Sequence, residues 1–472
     1  MKINNSEKYN KVILISLDTL RADCVPSNPN KLYPSEYKAK VKLNDSEVNK
    51  LFSKGVFFNN VVSAAPYTSS SHAAYFTGKW PIRNGVYDQF NSKLKTKSIF
   101  QIYKQNGYET IFKTDFPFIL GKYLNMIKGV DKYFIEDTPS ALKELKSKKK
   151  QLAFFHFGQF HYPYGFHNLK YGGKDYVNKI NFLEKKYKIP TDKINLEDMA
   201  MESFRSKEDT ELLYRYKKII AYLYKHRLDN DLFNLYLEGI NYFNKNFLDK
   251  FIKELLETIN NQNYLLVIFS DHGEAWNDYS YGHHNSFDEG VIRVPIVFYY
   301  KGVTPKLYSN RVRTIDLAPT LNDLLSPNSN RFDGKSLYKK VFADEEDGNL
   351  DAFSAIWVNE STDVIKKVRT LIDKDELTFN KSLSIRYGAA YYQQNLKYTE
   401  YYKRFTNRSE ELSDVKEHDT FEITDNLNVL QTQKRLPKSI KQNINKLNNI
   451  KLQSNSSPDI VRTYLRLSGY KV

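Results

Sequence analysis

Short, strongly apolar runs recur along this chain, and several of them end directly in acidic or histidine-rich segments. The runs KVILISL (11–17), QLAFFHF (151–157) and YLLVIFS (264–270) are rich in branched and aromatic residues. That pattern is typical of strands buried on both faces of a sheet. Helical stretches lie between the runs, which predicts an α/β fold with a mostly parallel central sheet flanked by helices.

Other segments follow the same alternation of strand and helix. A short helix over 45–54 is predicted, because Asp45 or Ser46 can cap its start and Gly55 can end it. Further strands are predicted at 56–64, 108–114 and 292–300.

Residues 165–260 interrupt the rhythm of strands. They are rich in Lys, Tyr and Asn and have helical periodicity, most clearly over 209–225 and 230–258. We expect a helical insertion here that caps the site. The chain is accordingly divided into a catalytic domain at 1–345 and a smaller C-terminal α+β subdomain at 346–472, with a small antiparallel sheet and a helix.

The formal net charge of +16 attracts anions in general. The basic residues are spread along the chain and are densest near 148–150, so we expect an anionic substrate rather than nucleic acid as partner. The polar, basic segment 433–457 is expected to be a peripheral helix or partly disordered. The single cysteine, Cys24, excludes an intrachain disulfide. Neither a signal peptide nor a membrane span is recognisable, which predicts a cytoplasmic protein.

Residues suited to metal chemistry follow two of the predicted strands. Asp18 comes directly after the first strand, and Asp271 and His272 follow the most hydrophobic one. Ligands of open α/β sheets bind outside the carboxyl ends of the strands, so these side chains should meet there. Asp and His are good zinc ligands, and Glu274 could support them as a hydrogen-bond acceptor. Taken alone, Asp18 could equally be a helix N-cap.

The segment APYTSSSHAAYFTGKWP (65–81) places four consecutive hydroxyl residues before a histidine. A helix that starts there would present free N–H groups to an anion, and a hydroxyl at that point is a plausible nucleophile. An ordinary Ser/Thr-rich cap is the alternative. Five of the nine histidines lie in two strand-end regions, at positions 156, 161, 272, 283 and 284.

Together, the motifs resemble the sulfatase family of the alkaline phosphatase superfamily. The matching segments, which span roughly residues 10–345, are ILISLDTLRAD, APYTSSSHAAYFTGKWPIRNGV, HFGQFHYPY, SDHGE, GHHNSFDEGVIRVP, TIDLAPTLNDLL and FDGKSL. The resemblance implies an alkaline-phosphatase-like fold. It also implies that Thr68 is the nucleophile and a metal ligand, together with the ligands Asp18, Asp271 and His272. The basic residues that it places around the ester are His72, Lys79, His161 and His283.

Four departures from the family pattern alter what the resemblance implies. Thr68 stands where sulfatases carry the Cys or Ser that becomes formylglycine, and threonine cannot form that aldehyde. Thr19 replaces the second of two acidic residues, His272 replaces an asparagine, and Gln159 replaces an acid. These changes favour one divalent metal, zinc or manganese rather than calcium, and phosphate rather than sulfate chemistry.

The resulting hypothesis is a metal-dependent, sulfatase-like hydrolase of a phosphate or sulfate ester. Lys79 and His72 would stabilise the equatorial oxygens of the ester. His161 or His283 would protonate the leaving alcohol. One alternative is a phosphoethanolamine or phosphoglycerol transferase that acts on a glycan intermediate. Another is an inactive protein that binds an anion or glycan. The oligomeric state is not predicted.

Overall fold

The structure is a computed structural model of the 472-residue chain. It describes residues 9–89, 92–190, 206–278, 280–284, 286–326, 331–345, 347–359, 385–393, 396–405, 412–423 and 429–433. The basic segment predicted at 433–457 therefore lies outside the described residues from position 434 onward.

A nine-stranded sheet forms the centre of the molecule. Its strands are β1 (Lys11–Leu17), β2 (Val56–Val62), β3 (Glu109–Thr114), β4 (Lys132–Ile135), β5 (Gln151–Phe157), β6 (Tyr264–Phe269), β9 (Arg293–Tyr300), β10 (Lys306–Tyr308) and β11 (Val312–Arg313). A separate hairpin joins β7 (Ala275–Asn277) to β8 (Ser280–Gly282). The order across the sheet is β10-β2-β9-β6-β1-β5-β3-β4, and β11 also pairs with β2.

Strand β1 lies between β5 and β6 and is parallel to both. Every residue of these three strands is buried, as expected for strands covered on both faces. This confirms the predicted α/β fold with a mostly parallel sheet. Strand β9 departs from the prediction, because it runs antiparallel to both β2 and β6. An apolar run does not encode the direction of its strand, so the sequence pattern alone did not reveal this reversal.

Helices cover both faces of the sheet. The helix predicted at 45–54 is α2, where Ser46 accepts a hydrogen bond from the Asn49 N–H as N-cap and Gly55 follows the last turn. None of the described helices is long and apolar enough to cross a membrane. The helices are α1 (Tyr33–Glu36), α2 (Glu47–Lys54), α3 (Thr68–Thr77), α4 (Pro81–Asn84), α5 (Ile99–Gln105), α6 (Thr138–Glu144), α7 (Leu169–Tyr187), α8 (Lys207–Lys225), α9 (Asp229–Phe243), α10 (Asp249–Ile259), α11 (Glu289–Ile292), α12 (Leu317–Asp323) and α13 (Tyr338–Phe342).

The segment predicted as a helical insertion contains α7 to α10 in its described part, with a π-helical turn between α9 and α10. Helix α9 contacts the loop that follows β1. The Tyr236 hydroxyl donates a hydrogen bond to the Thr19 carbonyl oxygen at 2.8 Å and accepts one from the Arg21 N–H at 3.0 Å. The insertion is thus attached to the carboxyl end of β1. The division of the chain at residue 345 remains a prediction.

A second sheet follows the central one. Its five antiparallel strands are β12 (Ala352–Asn359), β13 (Ile385–Gln393), β14 (Leu396–Phe405), β15 (Leu412–Ile423) and β16 (Val429–Gln433). Among the described residues after 346 there is no helix. Ala352, Ile356 and Tyr392 share a buried cluster with Tyr67 and Phe287, so this sheet packs near the start of α3.

The central strands should carry much of the stability of the fold. Leu266 is fully buried on β6, and truncation there would leave a cavity in a close-packed core. We expect Leu266→Ala to lower the free energy of unfolding by about 2–5 kcal/mol. Leu307→Ala makes the same chemical change at a side chain that is 40% exposed on an edge strand. That control should change the free energy by no more than about 0.5 kcal/mol. Denaturant unfolding measures both, and equal losses would contradict the assignment of the core.

Candidate active site

Four of the predicted residues meet where β1, β6 and α3 come together. The Thr68 hydroxyl lies 3.2 Å from Asp18 Oδ2, to which it donates, and 3.3 Å from His272 Nε2. His272 Nε2 in turn lies 3.4 Å from Asp271 Oδ2 and 3.8 Å from Asp18 Oδ1. All four side chains are buried. The structure therefore brings together the whole predicted set of metal ligands and the predicted nucleophile.

Strand order explains why the two carboxylates are neighbours. β1 and β6 are adjacent and parallel, so Asp18 and Asp271 emerge at the same edge of the sheet. Helix α3 is anchored there by serine hydroxyls. Ser71 Oγ donates to the Asp271 carbonyl oxygen at 2.8 Å, and the hydroxyl of Ser63, between β2 and α3, lies 2.6 Å from the same oxygen and 3.0 Å from Ser71 Oγ. These bonds hold Thr68, at the first turn of α3, against the ends of the two strands.

The donor set fits a divalent metal. Asp271 Oδ2 is buried and has no hydrogen-bond partner among the described residues, which is rare for a carboxylate oxygen and is expected of a metal ligand. One ligand atom from each of Asp18, Asp271 and His272 lies within 4.8 Å of the others. His272 Nδ1 is 3.0 Å from the Gly273 carbonyl oxygen and must donate to it. In the neutral ring, Nε2 therefore carries the lone pair and faces the carboxylates, although the charges of Asp271 and Asp18 outweigh burial and raise the pKa of His272.

The electrostatics of the two carboxylates differ. Burial, followed by the nearby charge of Asp18, raises the pKa of Asp271 to about 6. Burial would also raise the pKa of Asp18, but a hydrogen bond from His156 and the proximity of His272 outweigh it and hold that pKa well below its usual range. Two buried carboxylates this close strongly favour a bound cation or a shared proton between them.

His156 is a residue of the site to which the sequence analysis assigned no role. Its Nε2 lies 2.9 Å from Asp18 Oδ2, and its Nδ1 lies 3.4 Å from the Asp115 backbone N. Since that N–H can only donate, Nδ1 accepts and Nε2–H donates to Asp18. The sequence feature that could have predicted this role is a histidine near the end of the largely apolar strand β5. Such a residue orients a metal ligand from behind.

Thr19 accounts for one departure from the family pattern. Its φ of 69° is in the left-handed region, which a β-branched residue adopts at a cost. In that conformation its hydroxyl donates to Asp18 Oδ1 at 2.6 Å and its N–H donates to Asp271 Oδ1 at 3.1 Å. Thr19 thus orients both carboxylates where the family has a second acidic residue.

His72 has different partners from those predicted. Its Nδ1 lies 2.8 Å from the Thr68 carbonyl oxygen one turn earlier in α3, and its Nε2 lies 2.8 Å from Ser16 Oγ. Burial, and then the neighbouring His156, lowers the pKa of His72 to about 3, so the imidazole is neutral. Because both nitrogens of this neutral ring are hydrogen-bonded within the protein, His72 stabilises the first turn of α3. It does not supply a positive charge to an ester.

Lys79 also lies away from its predicted position. It follows Gly78, the left-handed residue that ends α3, whereas Thr68 begins the same helix. Ten helical residues span about 15 Å, so the two positions are at opposite ends of α3. The structure therefore does not bring Lys79 to the ester side of Thr68.

His161 and His283 form a hydrogen-bonded pair beside the predicted metal ligands. Their Nε2 atoms are 3.2 Å apart, and the ring of His283 stacks on that of His272 with centroids at 4.4 Å. His283 Nδ1 lies 2.8 Å from Glu274 Oε1, and Glu274 Oε2 accepts a hydrogen bond from the Tyr164 hydroxyl at 3.0 Å. Glu274 therefore supports His283 rather than the metal pair that the sequence suggested.

The hydrogen bonds that join His161, His283 and Glu274 require one proton to be shared within this group. His161 Nδ1 donates to the Tyr162 carbonyl oxygen, so its Nε2 is an acceptor toward His283. His283 Nε2 must then carry the donated hydrogen, which leaves one proton to be shared between His283 Nδ1 and the Glu274 carboxyl. Burial raises the pKa of Glu274 to about 7. The Glu274–His283 pair is accordingly suited to hold a proton near neutral pH.

The first turn of α3 offers further groups to an anion. The hydroxyls of Ser69 and Ser70 are buried and have no hydrogen-bond partner among the described residues. A helix also leaves its first N–H groups without an intrahelical acceptor, at the positive end of its dipole. Unpartnered donors beside Thr68 match the predicted anion-binding role of this turn.

Gln159 lies in a separate polar cluster. Its Nε2 donates to Asp115 Oδ2 at 2.9 Å, and Asp115 is paired with Lys113 at 2.6 Å. Both partners of this ion pair are fully buried. The carboxylate that accepts from Gln159 is thus already paired with a lysine, and the expectation of a single metal remains a prediction.

Comparison with known proteins identifies a family and a relative with similar sequences. The model of the sulfatase family matches residues 10–327. A stretch of 85 residues is 34% identical to the choline-sulfatase of Rhizobium meliloti (strain 1021), a match that spans 17% of this chain and only 17% of that enzyme.

Two solved structures illustrate the likeness of the fold. BT4656, solved in complex with its substrate D-glucosamine-2-N,6-O-disulfate, has a TM-score of 0.58 at 15% identity, covering 94% of this chain and 97% of that one. The phosphonate monoester hydrolase of Silicibacter pomeroyi has a TM-score of 0.55 at 15% identity, covering 87% and 88%.

The family match and these relatives support a hydrolase of sulfate or phosphate esters and do not distinguish between the two. Since the family model covers most of the chain and its motif residues meet at one edge of the sheet, this protein belongs to the sulfatase family.

Proposed function

We propose that this protein hydrolyses a sulfate or phosphate ester through covalent attack by Thr68, with a divalent metal held by Asp18, Asp271 and His272. The position of the Thr68 hydroxyl supports the proposal most directly. It lies within hydrogen-bond distance of both Asp18 and His272, at the start of a helix whose first turn carries unpartnered buried hydroxyls.

A bound metal would lower the pKa of the Thr68 hydroxyl and offset the charge of the ester oxygens. The donor set combines one imidazole nitrogen with carboxylate oxygens, which favours zinc or manganese over calcium. The unpartnered Asp271 oxygen is the feature of this chain that most favours a cation. Formylglycine has no role in this proposal, because threonine cannot form it.

The residues of the chain supply the rest of the chemistry. Asp18 Oδ2 accepts the hydrogen bond of the Thr68 hydroxyl and so orients it, and the hydroxyl, with its pKa lowered by a bound metal, would release its proton to water. Thr68 Oγ1 then bonds to sulfur or phosphorus as the bond to the leaving oxygen breaks. Ser69, Ser70 and the first N–H groups of α3 bind the non-bridging oxygens. Water later hydrolyses the ester formed on Thr68.

The leaving oxygen needs a proton when the alcohol is a poor leaving group. The Glu274–His283 pair and the adjoining His161 lie beside His272. One of the two histidines donates the proton to the leaving oxygen, and Glu274 restores it. This proposal keeps the predicted acids and adds Glu274 to them.

The nucleophile is tested by removing the Thr68 hydroxyl. We expect Thr68→Ala to reduce turnover of 4-nitrophenyl sulfate or phosphate by about 10³-fold or more, since no other group forms the covalent ester. Thr68→Ser keeps a hydroxyl and should retain measurable activity. Mass spectrometry after acid quenching should find a sulfo or phospho group on the peptide that contains residue 68. Undiminished turnover by the alanine variant would sink the assignment, and the preferred ester identifies the chemistry.

The metal site is tested by binding as well as by activity. We expect zinc or manganese to raise the thermal midpoint of the apo protein, because a ligand that binds only the folded state stabilises it. Asp271→Asn should abolish that rise and lower the metal content measured by elemental analysis. Asp323→Asn makes the same change at the partly exposed end of α12 and should leave both unaltered. Retention of stoichiometric metal by Asp271→Asn would contradict the ligand set.

The acid is tested by the dependence on the leaving group. We expect Glu274→Gln to slow an alkyl ester by about 100-fold, while a 4-nitrophenyl ester slows much less because nitrophenolate leaves without a proton. Tyr164→Phe removes the other hydrogen bond to Glu274 but keeps the carboxyl, so its effect should be smaller. Equal losses on both esters would show that Glu274 does not serve proton transfer.

A further inference from the structure

A buried lysine of the second sheet contacts the loop that carries His283. Lys397 lies on β14, and its ammonium group donates hydrogen bonds to the Phe287 carbonyl oxygen and, at 2.7 Å, to Glu289 Oε1. Phe287 belongs to the loop that joins β8 to α11 and begins at His283, and Glu289 is the first residue of α11. A buried ammonium group is unfavourable unless it is paired, so these contacts fix where the loop meets the second sheet.

Glu289 extends this contact into a network. Its Oε1 also accepts a hydrogen bond from the Tyr392 hydroxyl at 2.7 Å, and its Oε2 is paired with Arg293 at the start of β9. Burial would raise the pKa of Glu289, but the charges of Arg293 and Lys397 outweigh it and lower that pKa to about 2. The carboxylate is therefore ionised, and residues from β9, β13 and β14 meet on it.

The first residues of the loop contact the site. His283 Nδ1 lies 2.8 Å from Glu274 Oε1, and His283 Nε2 lies 3.2 Å from His161 Nε2. The His284 N–H donates to the Pro66 carbonyl oxygen at 2.9 Å. This end of the loop thus meets both the acid groups and the segment that leads into α3.

The last residues of the loop are held by the second sheet. Besides the bond from the ammonium group to its carbonyl oxygen, Phe287 shares a buried cluster with Ala352 and Tyr392. Residues 284–286 alone separate Phe287 from His283. Because each residue spans at most about 3.6 Å, a shift of the Phe287 backbone would be passed on to the histidine.

We propose that Lys397 is a positioning residue, which holds the loop so that His283 stays hydrogen-bonded to both Glu274 and His161. The inference rests on the proposed function, because it takes these three residues as the source of the proton for the leaving oxygen. Hydrogen bonds weaken steeply when their geometry is lost, and a misplacement of about 1 Å can slow a reaction by about 100-fold. The second sheet is thereby part of the catalytic unit.

A pair of esters separates positioning from stability. Lys397→Met removes the ammonium group and keeps the length of the side chain. We expect kcat for an alkyl ester to fall by about tenfold or more, and kcat for a 4-nitrophenyl ester by less than about threefold, since only the alkyl alcohol needs a proton. Lys397→Arg keeps a charged donor and should retain most of the alkyl-ester activity. Tyr392→Phe removes one hydrogen bond to Glu289 and should give a smaller loss in the same direction.

Lys11→Met is the matched control, because it makes the same change at another buried lysine. Lys11 lies at the start of β1, at the opposite end of the strand from Asp18, and its ammonium group donates to the carbonyl oxygens of Ser147 and Lys149 at 2.6 and 2.9 Å. This variant should slow both esters equally, by no more than its loss of folded protein. Denaturant unfolding of each variant measures that loss.

Equal losses on both esters in Lys397→Met would overturn the positioning role and leave Lys397 a contribution to stability alone. Tyr392→Phe decides in the same way if Lys397→Met does not fold. A loss confined to the alkyl ester in Lys11→Met would also overturn the role, because the effect would then follow from any destabilisation. Hydrolysis of the 4-nitrophenyl ester that depends on Thr68 would in each case leave the proposed function standing, whereas its absence in the wild-type protein would overturn both.

Discussion

Two buried carboxylates meet where β1 and β6 end, and the contacts around them offset the free-energy cost of removing their charges from water. Asp18 and Asp271 are both completely buried, and moving a charge of this kind out of water costs several kcal/mol, on the order of a large part of a domain's net stability. Adjacent parallel strands force them together, because both side chains leave the sheet at the same edge. A cation between them offsets that cost, and the unpartnered Asp271 oxygen is consistent with one.

The supporting residues can be understood from the same constraint. His156 and Thr19 donate to Asp18, the Thr19 N–H donates to Asp271, and the Gly273 carbonyl fixes the tautomer of His272. Each bond orients a side chain of the predicted metal site. The left-handed backbone at Thr19 shows that this orientation is maintained against a local conformational preference. Without a cation, these donors would still leave one buried carboxylate oxygen unsatisfied.

The parts of the fold and site that the sequence predicted are those encoded over a few residues. Apolar runs predicted the strands, and the polar residues directly after them predicted the positions of Asp18, Asp271 and His272. These side chains come together because adjacent parallel strands end at the same edge of the sheet. The direction of β9 is set by distant pairing partners and left no local signal. Lys79 is a different case. Along one helix, its spacing from Thr68 corresponds to about 15 Å. The resemblance to the family nevertheless placed Lys79 beside the ester, and that placement disagrees with the helical spacing. His72 packs one turn from Thr68, where helical spacing predicts contact but not which partners the ring selects.

The site has two sides with different structural origins, and this explains why its chemistry was easier to predict than its selectivity. Thr68 begins α3, and the predicted ligands Asp18, Asp271 and His272 follow strands of the central sheet, whose packing fixes their positions. The histidine side is built from the loops after β5 and β8, where His161 meets His283. The central sheet therefore fixes the candidate reacting groups, whereas the surrounding loops determine which other side chains line the site.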